Sequence, residues 1–263
     1  MSLLVKADGL VLHTVRHGET SLVLTVFCRE QGKVGLMAKG ARSKSKLGAA
    51  AALALLCEGQ FVFYHKANRD LQLLKEWTAL NPHHRLREDL DTLAVGSAVA
   101  ELLAKCLREQ DPHPELYDAA GEILKVLDEH PPYPLPVLYL FELRMFRVLG
   151  FEPGLRYCAV TGATLSPPLS APIRYRLSDG AFFAPGVTDV TPDGELSAAA
   201  FAVLAQLASA SASFAGRIKA SLSVQQEISE FLARYLETHL PVTGKLRSLK
   251  ALSWRKTPSQ KNP

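Results

Sequence analysis

The stretch SLVLTVFCREQGKVGLMAKGARSKSK, residues 21–46, decides how the chain folds at its start. Its two apolar runs, SLVLTVFC and GKVGLMAKG, are rich in Val, Leu and Thr, and the turn signal Gln31-Gly32 separates them, so they read as a strand pair. The second run leads into AKGARSKSK, where Lys39, Arg42, Lys44 and Lys46 are spaced by Gly, Ala and Ser with no acid among them. Small neighbours let such cationic tips converge on successive phosphates, and every contact made releases counterions. Arg29 and Lys33, beside the turn, are expected to extend this surface.

Outward from that pair, the first eighty residues keep a strand character. LLVKADGLVLHTV (residues 3–15) precedes it, while GQFVFYHK (59–66) and LQLLKEWTAL (71–80) follow, with turns at His17-Gly18-Glu19 and Asn68-Arg69-Asp70. Five short strands with Gly at the corners predict a small, closed or partly open barrel of the OB-like kind, a fold that accommodates oligonucleotides. An alanine-rich segment, Ala49 to Leu55, is the one helical interruption expected. Tyr64 and Trp77 are the candidates for stacking on bases, whereas Phe61 and Phe63 share one strand face and read as core.

From Pro82 the hydrophobic period becomes helical. Residues 88–109 place Leu90, Leu93, Val95, Ala98, Leu102 and Leu103 on an apolar side, and residues 114–130 do so with Leu116, Ala120, Ile123, Leu124 and Leu127. PPYPLPVLYLFELRMFRVLG (131–150) is apolar nearly all round between Pro136, suited to a first turn, and Gly150, suited to a stop. It predicts the central helix of a bundle. Residues 151–194 then turn irregular and rich in Pro and Gly, which predicts a small loop-rich insert. Helical patterning resumes at SAAAFAVLAQLASA (197–210) and in SVQQEISEFLARYLETHL (223–240), the latter with Ser223 as a plausible cap and Ile228, Phe231, Leu232, Tyr235 and Leu236 on its apolar face. The expected organisation is α+β: a barrel domain over 1–80, a helical domain over 81–150 and 195–245, the insert over 151–194, and a basic, disordered tail over 246–263.

Charge follows this organisation. Residues 1–80 hold 11 Lys and Arg against 6 Asp and Glu, residues 81–244 hold 13 against 20, and the last 19 residues hold 6 basic groups and no acid. Basic ends around an acidic middle point to a polyanionic partner. The longest apolar run, LGAAAALALLC, has 11 residues and is too short to cross a bilayer. No secretory signal and no disulfide framework are legible, so the expected setting is cytoplasmic, with no membrane partner.

Catalytic signatures are missing: no phosphate-cradling Gly loop ending in Lys-Ser/Thr, no G-x-S-x-G elbow and no H-E-x-x-H. The reading is a non-enzyme with no catalytic residues and no cofactor. His83-His84 lacks a carboxylate or thiolate at ligand spacing and reads as a solvated helix entry. Arg144 and Arg147, three apart on an apolar helix, project together, and two readings stand: an internal ion-pair network with Glu142 or a docking pocket for a carboxylate-bearing partner. In YCAVTG (157–162), Thr161 stands where a metal knuckle would put its second thiolate, and Cys28, Cys57 and Cys106 lie at least 52 residues upstream.

Three features together resemble the bacterial recombination mediator family RecO, over residues 3–245. They are RHGETSLVLTVFCREQGKVGLMAKGARSKSK (16–46), YLFELRMFRVLGFEPGLRYC (139–158), and the order barrel, helices, small insert, last helices. The resemblance implies a protein that binds single- and double-stranded DNA, anneals complementary strands and associates with RecR. With RecR it helps load RecA on strands covered by single-stranded-DNA-binding protein, whose acidic, hydrophobic tail is contacted through the helical region. Arg144 and Arg147 are the matching candidates for that contact. Many members carry C-x-x-C pairs in the insert, a tetrahedral zinc signature. Here the first pair is Cys158 with Thr161, and the second falls near Phe183 and Gly186, so no metal is expected and packing by Tyr175, Phe182 and Phe183 is the expected substitute. On barrel and loop alone, an OB-fold RNA-binding or translation-associated factor is the alternative, because a phosphate-tracking groove reads neither sugar nor base.

Overall fold

A computed structural model describes residues 3–43, 53–240 and 246–248. Lys44, Lys46 and most of the alanine-rich segment lie outside the described residues, as does the tail from residue 249. The described chain falls into two compact units, residues 3–130 with 246–248, and residues 131–240.

The first unit is built on a closed barrel of β1 (Leu3–His17), β2 (Ser21–Cys28), β3 (Gly32–Ala38), β4 (Glu58–His65) and β5 (Leu71–Asn81), in the circular order β1-β2-β3-β5-β4. All neighbours are antiparallel except β3 and β5, which run parallel. This is the five-stranded OB arrangement that the sequence pattern predicts. Alternation explains the interior: Leu22, Leu24 and Val26 of β2, Val34, Leu36 and Ala38 of β3, and Phe61 and Phe63 of β4 point inward to one core.

Closure falls on β1, which pairs with β4 through residues 3–10 and with β2 through residues 9–17. Where the two pairings overlap, Gly9 sits between Cys28 and Gly59. A Cβ on Gly9 would lie 2.5 Å from Val26 Cγ1 and 3.2 Å from Phe61 Cδ2, so only glycine fits there. A bulge follows between Val11 and His13. Its cause is local: the Val11 N–H donates to Cys57 (3.0 Å) and its carbonyl accepts from Leu56 (2.9 Å), so this residue is tied to the segment entering β4. Leu53, Leu56 and Cys57 are buried there.

Two helices belong to the barrel unit, so the unit boundary falls at residue 130 and not near 80. Helix α1 (Leu90–Cys106) begins at Asp89, whose carboxylate accepts the Thr92 N–H at 2.8 Å. It buries Val95, Ala98, Leu102 and Leu103 as expected, but Leu90 is exposed and Ala94, Val99 and Ala100 are inside instead. Helix α2 (Pro114–Asp128) starts with proline at its first position and buries all five residues of its predicted face. Residues 246–248 return to this unit. The Glu101 carboxylate accepts from Lys105 Nζ (2.7 Å), Arg247 N (3.1 Å) and Ser248 N (3.0 Å), and Leu246 is buried. The start of the supposed tail is therefore fixed structure.

In the second unit α3 (Pro134–Val148) is buried on nearly every side. With it stand α4 (Ala198–Leu207), the short α5 (Ala212–Ala215) and α6 (Leu222–His239). The cap of α6 is Ser221, not Ser223, with its hydroxyl accepting the Val224 N–H. The insert forms a three-stranded sheet, β7-β6-β8, from β6 (Ile173–Arg176), β7 (Ala181–Phe183) and β8 (Gly194–Leu196). Tyr175 and Phe182 meet Phe231 of α6 at ring-centroid distances of 4.9 and 5.6 Å, and Phe182 meets Phe201 at 5.5 Å. The insert is thus held by aromatic burial, worth about 0.5–1.5 kcal/mol per ring pair beyond area. No helix among the described residues is long and apolar enough to cross a membrane.

Gly9→Val is expected to destabilise the protein by about 1–3 kcal/mol through overpacking at the strand crossing. Chemical denaturation of the two proteins measures it, and an unchanged midpoint would show that the barrel wall yields at this position.

Candidate nucleic-acid interface

The cations expected to act together lie at opposite ends of the barrel. Strand β3 runs from Gly32 to Ala38, so Lys33 and Lys39 are six residues apart, about 20 Å at the rise of a strand. At the far end, Lys39 is exposed and Arg42 half-buried. Between them Gly40 takes φ +65° and Ala41 is fully buried, which pins the start of the loop against the core. The Arg42 N–H donates to Thr20 at 2.8 Å, stitching this loop to the β1–β2 turn. That turn brings Arg16 and His17 to the same rim: Arg16 pairs with Leu22, and Leu22 with Ala38. Neither stands out in the sequence pattern, because an isolated cation at the end of a strand shows no run of charge. The rim gathers Arg16, Lys39 and Arg42 from two connections.

Arg29 and Lys33 have other partners. Arg29 grips Asp118 of α2 with a two-pronged fork, Nε to Oδ1 at 2.9 Å and Nη2 to Oδ2 at 2.8 Å, and also meets Glu30. Those bonds hold the Asp118 carboxyl below the usual carboxylate range. Lys33 is only 9% exposed, and its ammonium donates to the carbonyls of Ala104 (2.8 Å) and Leu107 (2.9 Å) with Glu109 at 3.2 Å. It caps the C-terminal end of α1, where unpaired carbonyls carry partial negative charge. These two cations join the barrel to its helices, a correction to their expected place beside Lys39.

The stacking candidates also separate. Trp77 lies in register with Phe61 and packs against the barrel core, while Tyr64 is exposed on the outer wall. His83, expected in solvent, is buried with φ +44°, and its Nε2 lies 3.5 Å from Glu58 Oε2. Its neighbour His84 is the exposed one.

In the second unit Arg147 is exposed and forks onto Glu152, with Nε to Oε2 at 2.9 Å, and reaches the Ala208 carbonyl at 3.2 Å. Glu142 is not its partner. That carboxyl is buried within α3, and burial pushes it up to about 8, so it keeps its proton at neutral pH. Arg144 is half-buried on the same helix. Beside the Arg147–Ala208 contact a shallow cleft is lined by Leu155, Arg156, Tyr157, Leu165 and Ala208 among others, with Tyr157 largely exposed.

The residues of the insert do not fit a tetrahedral metal. Cys158 supplies one thiolate, Thr161 and Gly186 supply no soft ligand, and Phe183 is buried as packing. The described residues hold no group of three His, Cys, Asp or Glu that could surround an ion. The knuckle nevertheless keeps its shape. Cys158 N donates to the Ala163 carbonyl at 2.8 Å, Gly162 takes φ +69°, and Cys158 Sγ accepts the Ala184 N–H at 3.3 Å. Burial raises the Cys158 thiol, but donors from Ala184, Thr161 and Val160 outweigh it and bring the group down to about 7.

Comparison with known proteins bears on both units. The family model for the recombination protein O N terminal matches residues 1–83, and that for the recombination protein O C terminal matches residues 87–250. The chain belongs to the RecO family. The DNA repair protein RecO of Salinibacter ruber is 33% identical over 236 residues, covering 89% of this chain and 87% of the relative. That of Anaeromyxobacter dehalogenans is 33% identical over 241 residues, covering 90% and 91%. The first RecO match corresponds to the barrel together with the rim cations, and the second begins just before α1.

Lys33→Met is expected to cost about 1–3 kcal/mol, since two carbonyls at the end of α1 lose their donor, while leaving nucleic-acid affinity as in the wild type. Paired denaturation and binding curves test this, and a loss of affinity in the folded variant would return Lys33 to the interface. Glu142 gives a pH-dependent effect. Its folded pKa, about 8, lies above the ordinary 4.5, so the folded state binds the extra proton between those values and stability falls as pH rises through them. Glu142→Gln is therefore expected to gain stability over the wild type progressively from about pH 4.5 to about pH 8, with no such gain below. A difference independent of pH in unfolding curves would refute the buried, protonated state.

Proposed function

We propose that this RecO-family protein acts in DNA repair as a non-enzymatic, DNA-binding and strand-annealing recombination mediator. The observation that carries the reading is the rim of the barrel, where Lys39 and Arg42 sit on an anchored loop beside Arg16. Fixed backbone with cationic tips is what phosphate tracking asks for, and it reads no sequence. Lys44 and Lys46 continue the same loop in sequence. Binding two complementary strands on such a sequence-neutral surface lowers their mutual repulsion and raises their local concentration, which is sufficient to speed annealing.

Family membership supports the remaining steps: association with RecR, and help in loading RecA onto single-stranded DNA covered by single-stranded-DNA-binding protein. For the acidic tail of that protein we assign Arg144 and Arg147 of α3 as the docking point. The exposed Arg147 fork beside a cleft of mixed polar and apolar lining supports this, since a carboxylate can replace Glu152 on the fork while a neighbouring side chain of the tail enters the cleft.

Annealing of complementary oligonucleotides by the purified protein, with and without RecR, tests the proposal. Lys39→Glu with Arg42→Glu is expected to slow annealing and to flatten the salt dependence of single-strand binding, by roughly 0.7 in slope for each phosphate that no longer meets a cation. Annealing and salt slope that match the wild type would remove the rim from the mechanism.

A further inference from the structure

The chain enters the first unit twice. Residues 3–130 build the barrel and its two helices, residues 131–240 build the second unit, and residues 246–248 are back on the first. The second unit is therefore an insertion, tied to the first at residue 130 and again through the returning segment. How firmly the second tie holds depends on three residues.

One side chain of α1 receives them. The Glu101 carboxylate accepts the Arg247 N–H on Oε1 at 3.1 Å and the Ser248 N–H on Oε2 at 3.0 Å, and Oε2 also accepts the Ser248 hydroxyl at 2.5 Å. Lys105, one turn further along α1, places its ammonium 2.7 Å from Oε1. The Glu101 side chain is 15% exposed, little for a charged residue. Burial raises its pKa, but the donors from Lys105, Ser248 and Arg247 outweigh that and hold the group down to about 2, so the carboxylate stays charged. Leu246 is buried beside this contact in sequence, Arg247 is exposed and Ser248 half-buried.

Two features distinguish this contact from an extension of the core. Recognition is of the main chain: two consecutive N–H groups on the two oxygens of one carboxylate set the register of the segment without using the Arg247 side chain. The contact is also small. Among the described residues the segment rests on one carboxylate and one buried apolar side chain, whereas each barrel strand is paired along both edges. A segment with few buried contacts opens at a fraction of the free energy that unfolds the unit it lies on.

We propose that residues 246–248 are a clasp, closed by Glu101, that tethers the second unit at both of its ends and on opening leaves it tied at residue 130 alone. A body held at both ends samples fewer arrangements than one held at a single end, so the state of the clasp sets how far the second unit ranges. The clasp is independent of what either unit binds. Its control point is charge. Neutralising Glu101 removes the acceptor, and a negative group at Ser248 sets one anion against another.

Hydrogen exchange of the unmodified protein tests the closed state, read at the Arg247 and Ser248 amides. Both are expected to be protected relative to a free chain, and to open faster than the amides of β2. Glu101→Gln and Ser248→Asp are each expected to speed exchange at the Arg247 amide by about tenfold, the loss of a hydrogen bond to a charged group, with β2 unchanged. Spin labels carried by unnatural amino acids at Leu80 and Val160, each 58% exposed and one in each unit, read the consequence. Their distance distribution is expected to be broader in both variants than in the wild type. Unprotected Arg247 and Ser248 amides in the wild type, or exchange there that proceeds only together with β2, overturns the clasp. So does an Arg247 amide that exchanges as before in both variants, or a distribution of unchanged width once that amide has been released.

Discussion

The first unit depends on one strand being paired along both edges. β1 closes the barrel because its first half meets β4 and its second half meets β2, with Gly9 and Leu10 in register on both sides. A strand that serves two neighbours at an angle has to bend and twist sharply, and the bend brings its own backbone within van der Waals reach of Val26 and Phe61. Glycine supplies the room, and the bulge after Val11 lets the segment entering β4 take over the backbone bonds released there. With no sheet edge left open, chemistry is displaced to the rim loops.

The two ends of this barrel put the same residue types to different uses. At the β2–β3 turn, Arg29 and Lys33 direct their hydrogen bonds to Asp118 and to the last carbonyls of α1. Gly32 allows this, since its left-handed backbone lies against the main chain of Asp111 where a side chain would collide. A desolvated ammonium needs such acceptors, and once it has them it is no longer offered to a ligand. At the opposite end the loop's main chain is tied to Thr20 through the Arg42 N–H, while Lys39 is exposed and Arg42 half-buried. Securing the main chain while leaving the charge accessible is the arrangement that favours a polyanion without restricting its sequence.

The second unit holds its insert together on packing. Rings of Tyr175, Phe182, Phe201 and Phe231 pack the sheet of the insert, and the sulfur of Cys158 is met by donors from Ala184, Thr161 and Val160. Glu142, buried in α3, stays protonated because burial disfavours its charged form.

Much of this was readable from the order of residues. All five barrel strands are found within one or two residues of their predicted limits, because alternation, β-branched runs and glycine turns act within a few residues of chain. The apolar faces of α2 and α6 follow from a 3.6-residue period for the same reason. That the insert carries a single cysteine is a matter of residue identity alone. What only the tertiary structure decided is which partners meet across long separations: Arg29 with Asp118, and Lys33 with the end of α1. A side chain's identity and period tell which way it points along its own element, whereas burial and pairing depend on what the folded chain brings opposite it. For that reason Lys33 and Lys39 look alike in sequence and only the folded barrel separates them.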